Sequence, residues 1–277
     1  MPSKSNLYVK CTVTAGLLLA MALPLSAQLG LALAPMRVDL RLAPGQQYSG
    51  SLALTNDSTA KGRIRAELLD FFIDASASPQ FVRSVPAEGE YSCRSWLSLN
   101  PTEMELQAGA HTAVRYTLRV PSNATERSYH CAAGFTTLPP AEQVAGTGIR
   151  MAVRAVAAFY VVVGNPPVEG GVKEVKLERV EDPKQSYWQA VVVLENHGLM
   201  HFRPSGEMAV LDAEGKTIET AVFVPMPVLP KREQRFLFPL KLATLPEKFT
   251  LRARVDIGLH EIQEVTAVVA PPAQSVR

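Results

Sequence analysis

Val114-Arg115-Tyr116-Thr117-Leu118-Arg119-Val120 alternates between apolar or aromatic and polar side chains without a break, and Pro121 ends the run. A helix repeats every 3.6 residues and would scatter those side chains around its surface. A strand repeats every two and puts them all on one face. Residues 114–120 therefore read as a strand with one face on a core and two arginines to water.

The same period recurs on both sides. Arg63-Ile64-Arg65-Ala66-Glu67-Leu68 alternates cleanly. Tyr48, Gly50, Leu52 and Leu54 alternate with Ser49, Ser51 and Ala53, and Asn56-Asp57-Ser58 stops the run. Ser95-Trp96-Leu97-Ser98-Leu99 ends at Asn100-Pro101, and further short apolar runs occupy 188–194, 208–211, 236–240, 249–255 and 262–269. Turn residues separate them, as in Ala43-Pro44-Gly45 and Ala213-Glu214-Gly215-Lys216. Many short strands at such spacing predict an all-β chain folded as antiparallel, immunoglobulin-like sandwiches. Strands do not alternate with helices, which argues against an α/β enzyme fold.

Gly164-Asn165-Pro166-Pro167-Val168-Glu169-Gly170-Gly171 marks a boundary. Its prolines remove backbone donors and its glycines loosen the chain. The expected layout is a first sandwich over 28–164, a linker over 165–171, a second sandwich over 172–270, and a disordered tail over 271–277. Leu52-Ala53-Leu54-Thr55-Asn56 and Val192-Val193-Leu194-Glu195-Asn196 are faint echoes of one another, each an apolar strand stopped by Asn.

The start of the chain reads as an address label. Lys4 and Lys10 precede a short apolar stretch, Cys11 to Leu25, followed by Ser26-Ala27. A basic start, an apolar run too short for the roughly 20 residues of a membrane span, and small residues at a cut form a secretory signal over 1–27. Sec-type export is the expectation. Cleavage takes away Lys4 and Lys10, so 28 basic residues become 26, equal to the 26 acids, and 250 residues remain of 277. A neutral chain does not bind nucleic acid through bulk charge. Cleavage also removes Cys11 and leaves Cys93 and Cys131. An even pair in an exported protein predicts a disulfide, with two buried thiols as the alternative.

Catalytic patterns are missing. The sequence has no nucleophile elbow, phosphate loop or dinucleotide fingerprint. His197 and His201 have helical ligand spacing, but Gly198 and Pro204 argue against a helix there, and no Cys or acid completes a zinc set. We expect no enzyme activity, cofactor, metal or small-molecule substrate.

Residues 149–163 run for fifteen positions without glycine or proline. Arg150 and Arg154 share one face of the first half, while Ile149, Met151, Val153 and Ala155 share the other. The second half is apolar on both faces. Such a stretch is either a long final core strand or a strand whose first part is an open edge, available to another chain.

Several motifs together resemble the periplasmic pilus-assembly chaperones, the PapD-like family. Met36-Arg37-Val38 opens the first strand, Pro44-Gly45 follows, and the next strand ends Leu54-Thr55-Asn56. Glu126-Arg127-Ser128 leads into an aromatic strand at 129–138, and a Pro- and Gly-bearing loop at 139–148 leads into the long strand. Asn196, the hairpin at Gly215 and Val228-Leu229-Pro230 are similar to the family's second sandwich. The resemblance implies a non-catalytic chaperone that lends its long strand, 149–163, to pilin-like or other exported subunits, with an outer-membrane usher as a further partner. It implies that Arg37 and a lysine hold the subunit's terminal carboxylate, although Ala157 stands where that lysine belongs. The partner-binding residues expected are Arg37, Ile149, Arg150, Met151, Val153, Arg154 and Ala155. The alternative is a structural or adhesive cell-envelope module with no chaperone role.

Overall fold

The computed structural model describes residues 30–138, 152–242 and 245–270. The expected signal and tail lie outside them.

The first half of the chain forms β1 (Leu31–Ala34), β2 (Arg37–Leu42), β3 (Gln47–Asn56), β4 (Gly62–Ile73), β5 (Pro79–Val82), β6 (Leu97–Asn100), β7 (Glu103–Leu106), β8 (His111–Arg119), β9 (Ser128–Leu138) and β10 (Arg154–Val163). One sheet has the order β1-β3-β8-β6. The facing sheet has the order β2-β10-β9-β4-β5, with β7 also paired to β4. The second half forms β11 (Gly170–Val180), β12 (Tyr187–Asn196), β13 (Ser205–Leu211), β14 (Thr217–Val222), β15 (Glu233–Pro239), β16 (Phe249–Asp256) and β17 (Gln263–Val269). These make a sheet β11-β12-β15 and a sheet β14-β13-β16-β17. The chain is all β, folded as two immunoglobulin-like sandwiches.

Each sandwich closes on its own apolar core. Leu52, Leu54, Val114, Leu118, Phe135 and Phe159 are fully buried in the first. Val192, Leu194, Met208, Phe236, Phe249 and Leu251 fill the second. The alternation read in 114–120 is the reason: Val114, Tyr116 and Leu118 point inward from β8, and Arg115 and Arg119 point to water. β9 breaks that pattern, since Ser128 through Phe135 are buried without exception. Its second face packs against Leu69, Phe71, Tyr160 and Leu229, a third small cluster that joins the two sandwiches. Gly134 leaves room there, since an added Cβ would lie 2.7 Å from Leu69 Cδ1 and force that side chain to shift.

Two details differ from the sequence expectation. β2 pairs with β10 in parallel, from Ala158 opposite Arg37 to Val163 opposite Leu42, so the sandwich is not wholly antiparallel. The reason is that the chain crosses between sheets after β1, at Pro35, and arrives beside the last strand rather than beside its own hairpin partner. Gly170 and Gly171, expected in the linker, already belong to β11, opposite Asn196 and Glu195.

Cys93 and Cys131 are joined in a disulfide with Cα atoms 5.2 Å apart. The bond ties the 3₁₀ turn that begins at Arg94 to the central strand β9.

Candidate functional site

β10 has two neighbours of unequal length. On one side it pairs with β9 along nearly its whole span, from Arg154 opposite Thr136 to Val162 opposite Ser128. On the other side β2 reaches only as far as Ala158, whose N–H donates to the Met36 carbonyl at 2.9 Å. Among the described residues, no strand pairs with Arg154, Ala155, Val156 or Ala157 on that second side. An unpaired stretch of backbone offers N–H and C=O groups to an incoming chain.

The expected strand 149–163 is shorter in its described part. It starts at Arg154, because Val153 exchanges bonds partly with a side chain: its N–H donates to the Thr137 hydroxyl at 2.9 Å, while Thr137 N–H donates to the Val153 carbonyl at 2.9 Å. Ile149, Arg150 and Met151 lie outside the described residues. Alternation sets the faces of the rest. Ala155, Ala157, Phe159 and Val161 belong to the first core. Val156, Ala158 and Tyr160 belong to the cluster between the sandwiches. Arg154 is exposed and pairs with Glu67 at 2.8 Å. Ala157, at the place of the family lysine, is fully buried. A lysine there would bring an uncompensated charge into the apolar core.

Arg37 stands at the other edge of the site, on β2 opposite Ala158. Its Nε lies 2.8 Å from Asp39 Oδ2. Arg203, which the sequence did not single out, reaches the same carboxylate from the second sandwich, with Nη2 3.3 Å from Asp39 Oδ1. Its guanidinium also lies over the Tyr160 ring, 4.2 Å from the centroid. Tyr160 is buried, and the loss of water holds its hydroxyl above the usual phenol range, against the pull of the Arg203 charge. Two arginines and one aspartate thus meet where the two halves of the chain touch.

Below that meeting lies an apolar cleft of about 300 Å³. Met36, Ile73, Phe81, Ala158 and Tyr160 line it from the first sandwich, and the segment 224–227 from the second. Among the described residues, Arg37 and Arg203 are its charged lining residues. Sequence reading missed the cleft because its walls come from six separate segments, none bearing a motif.

The two sandwiches are also held by a polar joint. Ser128 N–H donates to the Leu199 carbonyl at 2.8 Å, and His201 N–H donates to the Ser128 hydroxyl at 3.0 Å. His201 Nδ1 lies 2.9 Å from the same hydroxyl, and its ring lies 5.2 Å from that of Tyr160. Burial pushes His201 down to about 4, helped by the Arg203 charge, and burial likewise lowers His130 to about 4. His197, its partner in the helical spacing, is instead exposed beside Glu195 at 3.1 Å. No group of three His, Cys, Asp or Glu is placed to hold a metal ion among the described residues.

No protein-family model matches the sequence, and no curated protein matches it. Its structure is similar to several solved fimbrial chaperones at low identity. A structure of the Salmonella enterica SafA pilin in complex with the SafB chaperone matches at 14% identity and a TM-score of 0.43, covering 87% of this chain and 96% of that one. The Escherichia coli chaperone DraB matches at 15% identity and a TM-score of 0.41, covering 86% and 98%. The Acinetobacter baumannii CsuC–CsuE chaperone–tip subunit pre-assembly complex matches at 10% identity and a TM-score of 0.43, covering 86% and 97%.

Proposed function

We propose that the protein is an exported, chaperone-like binding protein that holds pilin-like or other surface-protein subunits by strand addition along β10, in the manner of the PapD-like family its motifs resemble. The observation that carries this reading is the open backbone of residues 154–157, paired to β9 on one side and to nothing described on the other. Main-chain hydrogen bonds supply affinity in strand addition, and alternate side chains supply specificity. Val153, Arg154 and Ala155, with Ile149, Arg150 and Met151 before them, are the residues that would meet the partner, and Arg37 stands at the end of the edge. The periplasm is the location that fits the N-terminal signal, the sandwiches are the units expected at 28–164 and 172–270, and an usher is a further partner to test.

A photoreactive side chain at position 154 tests the reading in the native envelope. Crosslinks to an exported subunit, together with slowed amide exchange at 154–157 in its presence, are the expected result. Crosslinks confined to cell-wall polymer, or amides at 154–157 already fully protected in the isolated protein, would instead favour a structural envelope module.

A further inference from the structure

The sheet β1-β3-β8-β6 turns its outer face away from β10, and its composition sets it apart. Its four strands contain no Asp or Glu. Each of the other three sheets carries acids, for example Asp39, Glu174 and Glu207. Alternation turns Gln47, Ser49 and Ser51 outward from β3, and Arg115, Thr117 and Arg119 outward from β8. Ser98 and Asn100 continue the face on β6. Elsewhere the strand cations are neutralised: Arg63 and Arg65 share Glu103, Arg154 takes Glu67, and Arg254 takes Glu264. Among the described residues, Arg115 and Arg119 have no carboxylate partner. The Arg119 fork rests on a neutral acceptor, with Nη2 2.9 Å and Nε 3.1 Å from Gln47 Oε1. An open trough of about 710 Å³ runs off this face. Ser98, Thr117 and Arg119 line it from the strands, Ser95 and Trp96 from the turn before β6, and residues 120–122 from the turn after β8. Trp96 is half-buried, its ring 4.3 Å from that of Tyr129.

We propose that this face and its trough bind an acidic polysaccharide, with carboxylates of the chain at Arg115 and Arg119 and one sugar ring in the trough at Trp96. Guanidinium forks match carboxylates with two parallel bonds, and both forks lack an acid of their own. The two arginines stand four residues apart on one strand, about 13 Å, a span that suits a chain better than a single ring. The register sets them among small polar groups. Arg115 lies between Ser51 and Asn100, and Thr117 lies between Ser49 and Ser98. Such hydroxyls and amides both donate and accept, as sugar hydroxyls do. The indole offers a flat apolar surface to the C–H side of a ring. Other anionic partners fit less well. The face has no large apolar side chain to enter a lipid, and two cations are few for a nucleic acid. The site lies on the sheet opposite the open edge of β10, so it does not depend on strand addition.

The test uses the full mature chain and two immobilised polymers: polygalacturonate, which carries carboxylates, and dextran, which is neutral. Interferometry reads affinity. Binding to polygalacturonate and not to dextran is expected. The double variant Arg115→Gln with Arg119→Gln should weaken it about tenfold, the scale of two exposed charge contacts, with the melting temperature unchanged. The double variant Arg63→Gln with Arg65→Gln removes the same charge from the facing sheet and should leave binding as it was. A Trp188→Phe background isolates the emission of Trp96, which should shift as polygalacturonate is added. No binding to polygalacturonate, equal binding to dextran, or equal losses in the two double variants would overturn the proposal. Binding without any shift in the Trp96 emission would overturn the placement of a ring in the trough.

Discussion

Asn56 and Asn196 occupy the same place in the two sandwiches, each the last residue of a strand and each nearly sealed from water. Asn56 Nδ2 donates to the carbonyls of Ala60, Leu106 and Gln107, and its Oδ1 accepts from Ser58 N–H. Asn196 Nδ2 donates to the carbonyls of Met200 and Val228, and its Oδ1 accepts from Gly198 N–H. One amide clamps a turn two and four residues ahead and a second loop behind it. Past this shared device the sandwiches part. The first has a disulfide, a parallel strand pair and, among the described residues, an unpaired edge at 154–157. The second has an ordinary apolar core and antiparallel ladders only. The covalent tie and the unpaired stretch of β10 thus fall in the same half.

The largest separation between the halves should come from the disulfide. Replacing Cys93 and Cys131 by alanine opens a loop of sequence separation 38 and should cost the first sandwich roughly 3–4 kcal/mol. Calorimetry should then resolve an early transition of the first half ahead of the second. A single transition, uniformly lowered, would mean that the two halves unfold as one unit.

The next effect probes what they share. Asn56→Ala and Asn196→Ala each strand buried carbonyls, so each should cost about 2–3 kcal/mol. The losses should fall on different halves, followed by amide exchange in β3 and in β12. Equal loosening of both halves by either variant would break the parallel between the two turns.

The smallest effect concerns the joint between them. His130 and His201 have folded values near 4 against 6.5 for a free imidazole, so protons bind the unfolded chain better. Their neutral forms leave stability intact above pH 6.5, and it is lost as the pH falls toward 4, by about 2 kcal/mol per histidine at pH 5. Arg203, Arg41 and His130 oppose a charge on His201, and Asp39 favours it. His201→Gln should flatten part of the acid dependence of the melting temperature. An unchanged slope would show that the joint does not titrate.

Much of this was legible in the chain itself. β8 could be read from Val114, Tyr116 and Leu118, because one buried face forces a period of two. The echo between Asn56 and Asn196 was visible because local turn chemistry leaves a local mark. β9 hid its double burial, since the cover on its second face comes from Leu229, about a hundred residues away. Arg203 was invisible for the same reason: nothing near it in sequence announces Asp39 or Tyr160. Ala157 looked like a lost lysine, whereas packing makes it a core residue.

The meeting of Ala158 with Met36 has one more consequence. β2 ends where the open backbone begins, so the edge has a fixed zero, like the end stop of a ruler. Side chains of an extended chain change faces at every residue, and a slip of one position would turn the partner inside out. Under the proposed strand addition, β2 would limit how far an added strand can travel, and so favour one of its faces looking inward.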